Sequence, residues 1–242
     1  MTQRPNEPGP LGPFRAPEDT PTIPATQPGT VRVDDRHRPP RSPLLRWIKR
    51  LFKWLVVGTA AYAALIVALA ILYRWVNPPA SAHMIVQRLS GTSIDRKWVP
   101  LERISPNLIR AVIVSEDAGF CSHRGVDWRE LREVVENFSE SGGRGGSTIS
   151  MQLSKNLFLW SGRSYVRKAI EIPVTLGMEV VLPKRRVLEI YLNIAEWGPG
   201  IFGAEAAAQY HFGKTAAELD ESEAALLAVT LPAPIARDAS EP

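Results

Sequence analysis

The chain has 242 residues, which predicts one or two domains, and it carries a formal net charge of +4 at pH 7. Its basic residues are not gathered into one block with interleaved aromatic residues, so no nucleic-acid partner is expected. Its four histidines form no spaced pair of the kind that binds zinc, so no zinc site is expected either. The modest basic excess fits anionic lipid or a phosphate-bearing substrate.

The first segment, residues 1–43, is rich in proline, threonine, glycine and arginine and contains few bulky apolar residues. Such a segment cannot bury enough apolar surface to offset its chain entropy, so we predict a disordered tail. A proline-rich docking ligand is the alternative interpretation.

Residues 44–76 are predicted to form a transmembrane anchor with its flanks. The stretch 54–73 carries no charge and has about 20 residues, which is the length that an α-helix needs to cross the hydrocarbon core of a bilayer. Arg74 is the single basic residue just after it. Five basic residues precede it: Arg41, Arg46, Lys49, Arg50 and Lys53. The positive-inside rule then predicts a cytoplasmic amino terminus and an outside location for everything after Asn77.

Two other interpretations of this apolar stretch stay open. A cleaved signal peptide would use the small-residue pattern Ala80-Ser81-Ala82, although the leader is long and the apolar stretch exceeds the usual 7–15 residues. A buried core helix would be unusual at this length and apolarity.

Residues 77–242 are long enough for one well-buried domain, and their pattern is mainly helical. Helices are predicted over 106–115, 127–138, 147–162, 164–182, 184–197, 203–210 and 224–231. A kink is predicted at Pro173. Ser147 or Thr148 caps the third of these helices, and Asp220 and Glu223 form a capping box before the last. Residues 139–146 are predicted to be a polar loop, and 84–89 is the best candidate strand.

Glu116 follows an apolar helical stretch and precedes Phe120. A carboxylate at the end of a buried helix loses hydration, which raises its pKa and makes it a useful base near neutral pH. The alternative is that Glu116 and Asp117 are surface charges at the end of a helix.

The turn 142–148 is rich in glycine and ends in two hydroxyl residues, so it can direct several backbone N–H groups toward an anion. A flexible linker is the alternative. Four cations follow within fourteen residues, with Glu171 just beyond them: Lys155, Arg163, Arg167 and Lys168. Such a run is usually a solvated basic face, but the glycine turn beside it favours a phosphate or diphosphate ligand.

Five ordered blocks of residues resemble one known family. They are Glu116-Asp117…Phe120…His123-x-Gly125-x-Asp127, Gly145-Gly146-Ser147-Thr148-Ile149…Gln152…Lys155-Asn156, Arg167-Lys168…Glu171, Lys184-Arg185-Arg186-Val187-Leu188-Glu189-Ile190-Tyr191-Leu192-Asn193 and Phe212-Gly213-Lys214. Together they resemble the peptidoglycan glycosyltransferase domain (glycosyltransferase family 51). With one membrane anchor, the chain looks like a monofunctional biosynthetic peptidoglycan transglycosylase, and the resemblance covers roughly 101–234.

The resemblance implies a mainly α fold, with a lysozyme-like lobe and a smaller membrane-facing lobe near 131–146. It implies a single-pass protein of the bacterial inner membrane whose domain over 77–242 is periplasmic. Its partners would be lipid II, the growing glycan chain and membrane lipid, with proteins of cell division or cell elongation as further candidates.

The resemblance also implies roles for individual residues. Glu116 would be the general base and Glu171 would organise the cations or help to hold a divalent ion, so both are candidate catalytic residues. Lys155 and Arg163 would contact the diphosphate or the adjoining sugar, and the other candidate substrate contacts are Arg167, Ser147, Thr148, Gln152, Asn156, Asp117 and His123. A Mg²⁺ or Mn²⁺ ion is compatible with the diphosphate, although the sequence shows no dedicated site for it.

Two alternatives from other classes remain. A lytic transglycosylase or muramidase-like enzyme would cut glycan strands with one essential glutamate, but its neutral leaving group would have no need of the basic cluster. A non-catalytic scaffold of the cell-wall machinery is the third hypothesis, and loss of Glu116 in a functional copy would favour it.

Overall fold

A computed structural model of the chain describes residues 43–137, 146–160, 162, 164–234 and 239. The chain divides into two compact units, Met1–Arg50 and Leu51–Pro242. In the first unit only the beginning of one helix is described, so the predicted tail lies almost entirely outside the described residues. Part of the predicted polar loop, residues 139–145, lies outside them as well.

The described residues are mainly helical, as the sequence predicts. The helices are α1 (Pro43–Tyr73), α2 (Ala82–Leu89), α3 (Pro106–Glu116), α4 (Trp128–Glu136), α5 (Ile149–Phe158), α6 (Tyr165–Val181), α7 (Lys184–Ile194), α8 (Ala204–Phe212) and α9 (Glu221–Thr230), with a 3-10 turn at Leu101–Arg103. The strands are β1 (Asp95–Arg96), β2 (Glu196–Gly198) and β3 (Ile201–Phe202). The two-lobed arrangement stays a prediction.

Helix α1 contains the candidate membrane span. Within the described residues, Arg46–Tyr73 is the one segment long and apolar enough to cross a bilayer, with a mean hydropathy of 2.5. Ile66, Ala70 and Tyr73 lie on one face of this helix and are buried. The ring of Tyr73 stacks on Phe158 of α5, with 6.4 Å between the ring centroids. The last turns of α1 therefore pack on the domain.

The sequence-based prediction of a strand over 84–89 is wrong, because these residues lie in α2. The Ser81 side chain accepts a hydrogen bond from Met84 N at 3.1 Å and caps the helix. His83 and Gln87, one helical turn apart, both bond to Glu196. A short apolar run fits either period, and the cap together with this helical spacing decides it.

The predicted helix over 184–197 also ends too late, because α7 ends at Ile194 and Glu196 begins β2. The sheet has the order β1-β3-β2, in which β1 pairs with β3 in parallel and β2 pairs with β3 antiparallel. Trp197 is fully buried in β2. The pairing with β3 therefore takes these residues out of the helix.

The other predicted helix positions are confirmed within one or two turns. Thr148 caps α5, Asp127 caps α4, and Asp220 and Glu223 form the predicted capping box at α9. Helix α6 runs through Pro173.

The core of the domain contains three main contacts between helices. Helix α3 packs against α9, and α5 packs against both α6 and α7. The buried side chains of these helices include Leu108, Val112, Leu153, Leu157, Ile190 and Leu192. The hydrogen bonds from Gln152 to Glu116 and from Ile149 N to Asp117 place the carboxyl end of α3 beside α5, against which α6 also packs.

Candidate active site

The predicted base, Glu116, is the last residue of α3 and is half-buried. The side-chain amide of Gln152 in α5 donates a hydrogen bond to Glu116 Oε2 at 2.6 Å. The hydroxyl of Tyr191 in α7 donates to Gln152 Oε1 at 3.0 Å. Because an amide oxygen only accepts, this contact turns the NH₂ group of Gln152 toward Glu116. A chain of two hydrogen bonds thus sets the position of the carboxylate.

Tyr191 is suited to act as the donor at the end of this chain. Its side chain is fully buried. Burial raises the pKa of the Tyr191 phenol well above its usual value, and the negative charges of Glu116 and Asp117 raise it further. The phenol therefore keeps its proton at neutral pH and can donate a hydrogen bond to Gln152 Oε1.

Asp117 joins the end of α3 to the start of α5. Its buried carboxylate accepts from Ile149 N at 3.0 Å and lies 2.8 Å from His123 Nε2. An anionic side chain at the amino end of a helix is favoured by the helix dipole. Asp117 and His123 are thus brought together, but their side chains contact each other and the protein backbone, not an open site. Their predicted substrate contacts stay predictions.

Thr148 also supports the fold of the site. Its buried hydroxyl donates to the carbonyl of Gly125 and accepts from Met151 N at 3.1 Å. Gly125 has a φ of +86°, and a Cβ there would lie 3.1 Å from the side chain of Thr175 in α6. Only glycine therefore fits this approach. The predicted substrate contact of Thr148 stays a prediction too.

Glu171 pairs with part of the basic cluster, while its predicted catalytic role stays a prediction. This carboxylate, 2% exposed, forms ion pairs with Arg167 and with Lys168, whose Nζ lies 3.2 Å from Glu171 Oε1. The Lys168 ammonium also donates to Ser147 Oγ at 2.8 Å. One buried carboxylate thus holds two cations beside the turn that precedes α5.

Lys155 differs from these two cations. Its ammonium makes no hydrogen bond or ion pair with any residue that the structure describes. Burial is the main cause that lowers the pKa of Lys155, and the positive charges of Arg167 and Lys168 also lower it. The negative charges of Glu171 and Glu116 act in the opposite direction and raise it. The carboxylates of Glu116 and Glu171 therefore both act on the same ammonium.

The remaining predicted contacts are less well defined. Gln152, Lys155 and Asn156 are half-buried and spaced to share one side of α5. Asn156 has no side-chain hydrogen bond within the described residues. Arg163 and the glycines at 142–145 lie outside the described residues, so their predicted roles stay predictions.

The described part of the chain contains no group of three or more His, Cys, Asp or Glu side chains placed to hold a metal ion. The residues therefore do not form a dedicated site for the Mg²⁺ or Mn²⁺ ion considered above.

Two residues that belong to this arrangement were not assigned to the site from sequence. Tyr191 stands in one of the recognised blocks, but its contact with Gln152 spans 39 residues and no local pattern shows it. Lys168 stands in the basic run, and its spacing of three residues from Glu171 was the available signal.

Comparisons with known proteins agree with the resemblance seen in the sequence. The family described as transglycosylase matches residues 82–241. A biosynthetic peptidoglycan transglycosylase of Rhodospirillum centenum is 53% identical over 190 residues, which cover 77% of this chain and 82% of that protein. One of Rhodopseudomonas palustris is 49% identical over 196 residues, covering 80% of this chain and 83% of that protein. One of Agrobacterium fabrum is 53% identical over 165 residues, covering 68% and 73%. The chain therefore belongs to the family of biosynthetic peptidoglycan transglycosylases.

Proposed function

We propose that the protein is a peptidoglycan glycosyltransferase that polymerises lipid II into glycan strands and releases undecaprenyl diphosphate. The observation that carries this proposal is the placement of Lys155. Its ammonium lacks a partner among the described residues and is under the influence of both Glu116 and Glu171. A base and a half-buried cation without a partner among the described residues suit a reaction whose leaving group is an anion.

In the proposed reaction Glu116 removes the proton from the 4-hydroxyl of the acceptor N-acetylglucosamine. The oxygen attacks the anomeric carbon of the donor N-acetylmuramic acid as its bond to the diphosphate breaks, with inversion. The electron pair of that bond leaves on the diphosphate, and the proton remains on Glu116. General-base catalysis of this kind contributes about 10²- to 10⁴-fold to the rate.

Lys155 stabilises the diphosphate as its negative charge develops. A fixed cation in a partly dry site does this without having to reorganise during the reaction. Arg167 and Lys168 are already paired with Glu171, so they add to the positive electrostatic potential at the diphosphate instead of binding it directly. Arg163 is the further proposed diphosphate ligand.

The proposed location is the bacterial inner membrane, with α1 as the single span and residues 77–242 as the periplasmic catalytic domain. The basic residues before the span support a cytoplasmic amino terminus. The burial of Ile66, Ala70 and Tyr73 supports retention of α1 in the mature protein, because cleavage would remove this apolar contact. The span then holds the site near the leaflet that contains the lipid tail of the substrate. Cell-division or elongation proteins stay proposed partners.

The test is incubation of the detergent-solubilised full chain with labelled lipid II, with products separated by size. A polymer that a muramidase digests is the expected result. Cleavage of preformed glycan without polymer formation would instead establish the lytic activity. If neither product forms, the result would favour the scaffold hypothesis.

A further inference from the structure

Helix α2 has an apolar face that no other part of the described domain covers. Ile85 and Val86 are about half exposed, and Leu89 is 83% exposed. His83 and Met84 lie on the opposite side, toward the domain. A surface helix ordinarily turns its polar side outward, so this arrangement is reversed.

The position of α2 along the chain suggests what this face meets. The helix begins at Ala82, shortly after the candidate span ends at Tyr73. Trp75, between them, is 72% exposed. Tryptophan at the end of a span and an apolar helix face directly after it are typical of the membrane–water interface.

A cavity of about 390 Å³ opens beside the same helix. Its volume lies within the range of about 300–1,000 Å³ that is usual for sites of small ligands. Apolar and basic side chains line it together, among them Met84, Ile85, Arg88, Ile94, Arg96 and Trp98. None of them belongs to the candidate active site.

Arg96 is a half-buried cation that lacks a carboxylate partner within the described residues. Its guanidinium donates to the carbonyls of Pro79 at 2.9 Å and Pro78 at 2.7 Å, and it lies 5.3 Å from the ring centroid of Trp98. These neutral contacts orient the group but leave its positive charge uncompensated. Burying a charge without a counterion is costly, so the cavity favours an anion.

Arg88 adds a second positive charge at the same cavity. It lies in the last turn of α2 and is exposed. Its side chain forms no ion pair or hydrogen bond in the described part of the chain. The cavity thus is lined by two guanidinium groups together with apolar side chains.

We propose that this cavity binds the phosphate headgroup of an anionic phospholipid in the leaflet next to the domain, with Ile85, Val86 and Leu89 directed toward the acyl chains. Arg96 and Arg88 contact the phosphate, which neutralises the half-buried charge. The proposal depends on α1 spanning the membrane and is independent of the transferase chemistry.

The test uses the full chain in phosphatidylcholine nanodiscs that contain a small fraction of photoreactive phosphatidylglycerol. After illumination and digestion, the label is expected in the peptides covering 79–98. Arg88→Gln and Arg96→Gln should each lower this labelling about fivefold, which corresponds to ~1 kcal/mol for one basic residue at an anionic surface. Arg103→Gln, which removes an exposed charge outside the cavity, should leave it unchanged.

Arg96 also bonds to the backbone carbonyls of Pro78 and Pro79, so Arg96→Gln can disturb the segment between α1 and α2. Arg88→Gln has no such contact to lose and keeps the test decisive. Equal labelling by a photoreactive phosphatidylcholine would overturn the proposal, as would labelling that neither substitution lowers. Competition with unlabelled lipid II separates the two lipid sources. If lipid II removes the label more effectively than phosphatidylglycerol at equal mole fraction, the cavity belongs to the substrate and the proposal is wrong.

Discussion

The side-chain amide of Gln152 donates to the carboxylate of Glu116 at 2.6 Å and thereby joins α5 to the last residue of α3. This bond fixes the direction of a carboxylate that stands at the last residue of α3. Tyr191 completes the arrangement by fixing the amide. The base is thus held by residues from three helices.

Tyr191→Phe tests this chain of hydrogen bonds. The substitution keeps the buried ring but removes the donor that orients Gln152, so kcat should fall about 2- to 10-fold, as expected for one hydrogen bond of about 0.5–1.5 kcal/mol. KM for lipid II should change little, because Tyr191 is fully buried. Steady-state kinetics of lipid II consumption measure both constants. Tyr210→Phe, at an exposed position, is the matched control. An equal loss in both variants would contradict the proposed role.

Lys155→Arg tests whether the ammonium must be charged. Burial lowers the pKa of Lys155, and a lysine is charged only below its pKa. The contribution of Lys155 to kcat/KM is therefore present at lower pH and lost as the pH rises through this lowered value. Arginine stays protonated throughout, so Lys155→Arg should retain its relative activity at alkaline pH.

The measurement for this prediction is the pH profile of kcat/KM, normalised to its maximum for each variant. Lys97→Arg, at a partly exposed lysine paired with Glu205, should follow the wild-type profile. If Lys155→Arg also follows the wild-type profile on its alkaline side, Lys155 is not the group that titrates there.

Asp117→Ala should destabilise the domain. The substitution leaves the buried amide of Ile149 and the imidazole of His123 without their acceptor. A buried donor without a partner costs about 1–3 kcal/mol of the free energy of unfolding. Thermal unfolding of the detergent-solubilised chain measures the effect as a lower Tm. Asp95→Ala, at an exposed position, should leave Tm nearly unchanged. The same Tm for Asp117→Ala and wild type would show that the contact is not structural.

Asp127→Ala tests a helix cap with a pH dependence. The amide of Glu130 donates to Asp127 and holds the pKa of that carboxyl below its usual range, and Arg129 acts in the same direction. Its contribution to stability is therefore fully present above the unfolded pKa of about 3.9 and is lost as the pH falls through the lower folded value.

At neutral pH Asp127→Ala should cost about 1 kcal/mol, or ~2–4 °C in Tm. Asp127→Asn is the matched control, since asparagine also caps helices but does not titrate in this range. Its Tm should lie near that of the wild type at neutral pH. As the pH is lowered into the acidic range, its Tm should fall less than that of the wild type, because asparagine has no carboxylate to protonate. A Tm of Asp127→Ala equal to that of the wild type would contradict the cap.

The features that the sequence predicted correctly depend on neighbouring residues. The caps at Thr148 and Asp220 involve side chains and amides only three residues apart, so the local pattern is enough. In the two wrong assignments the local pattern did not decide the structure. Glu196 ends in a strand because it pairs with β3, and α2 is helical where a short apolar run allowed either structure.

The same distinction applies to the candidate site. The recognised blocks placed Glu116 and Gln152 in the site, but their direct contact and the part of Tyr191 in it needed the packing of α5 against α7. The sequence also does not show that the Lys155 ammonium lacks an ion pair among the described residues. Arg167, Lys168 and Lys155 are all cations in one run. The helical spacing of the first two from Glu171 allows a pair, and the structure shows that both pairs form.

The most direct test of the account compares Glu116→Gln with wild type for both lipid II polymerisation and lipid II binding. Glutamine has nearly the same shape but cannot accept the proton, so polymerisation should fall about 10²- to 10⁴-fold while binding and Tm stay close to wild type. Glu221→Gln, at an exposed position in the first turn of α9, should polymerise normally. Polymerisation by Glu116→Gln at more than about a tenth of the wild-type rate would contradict the assignment of Glu116 as the general base.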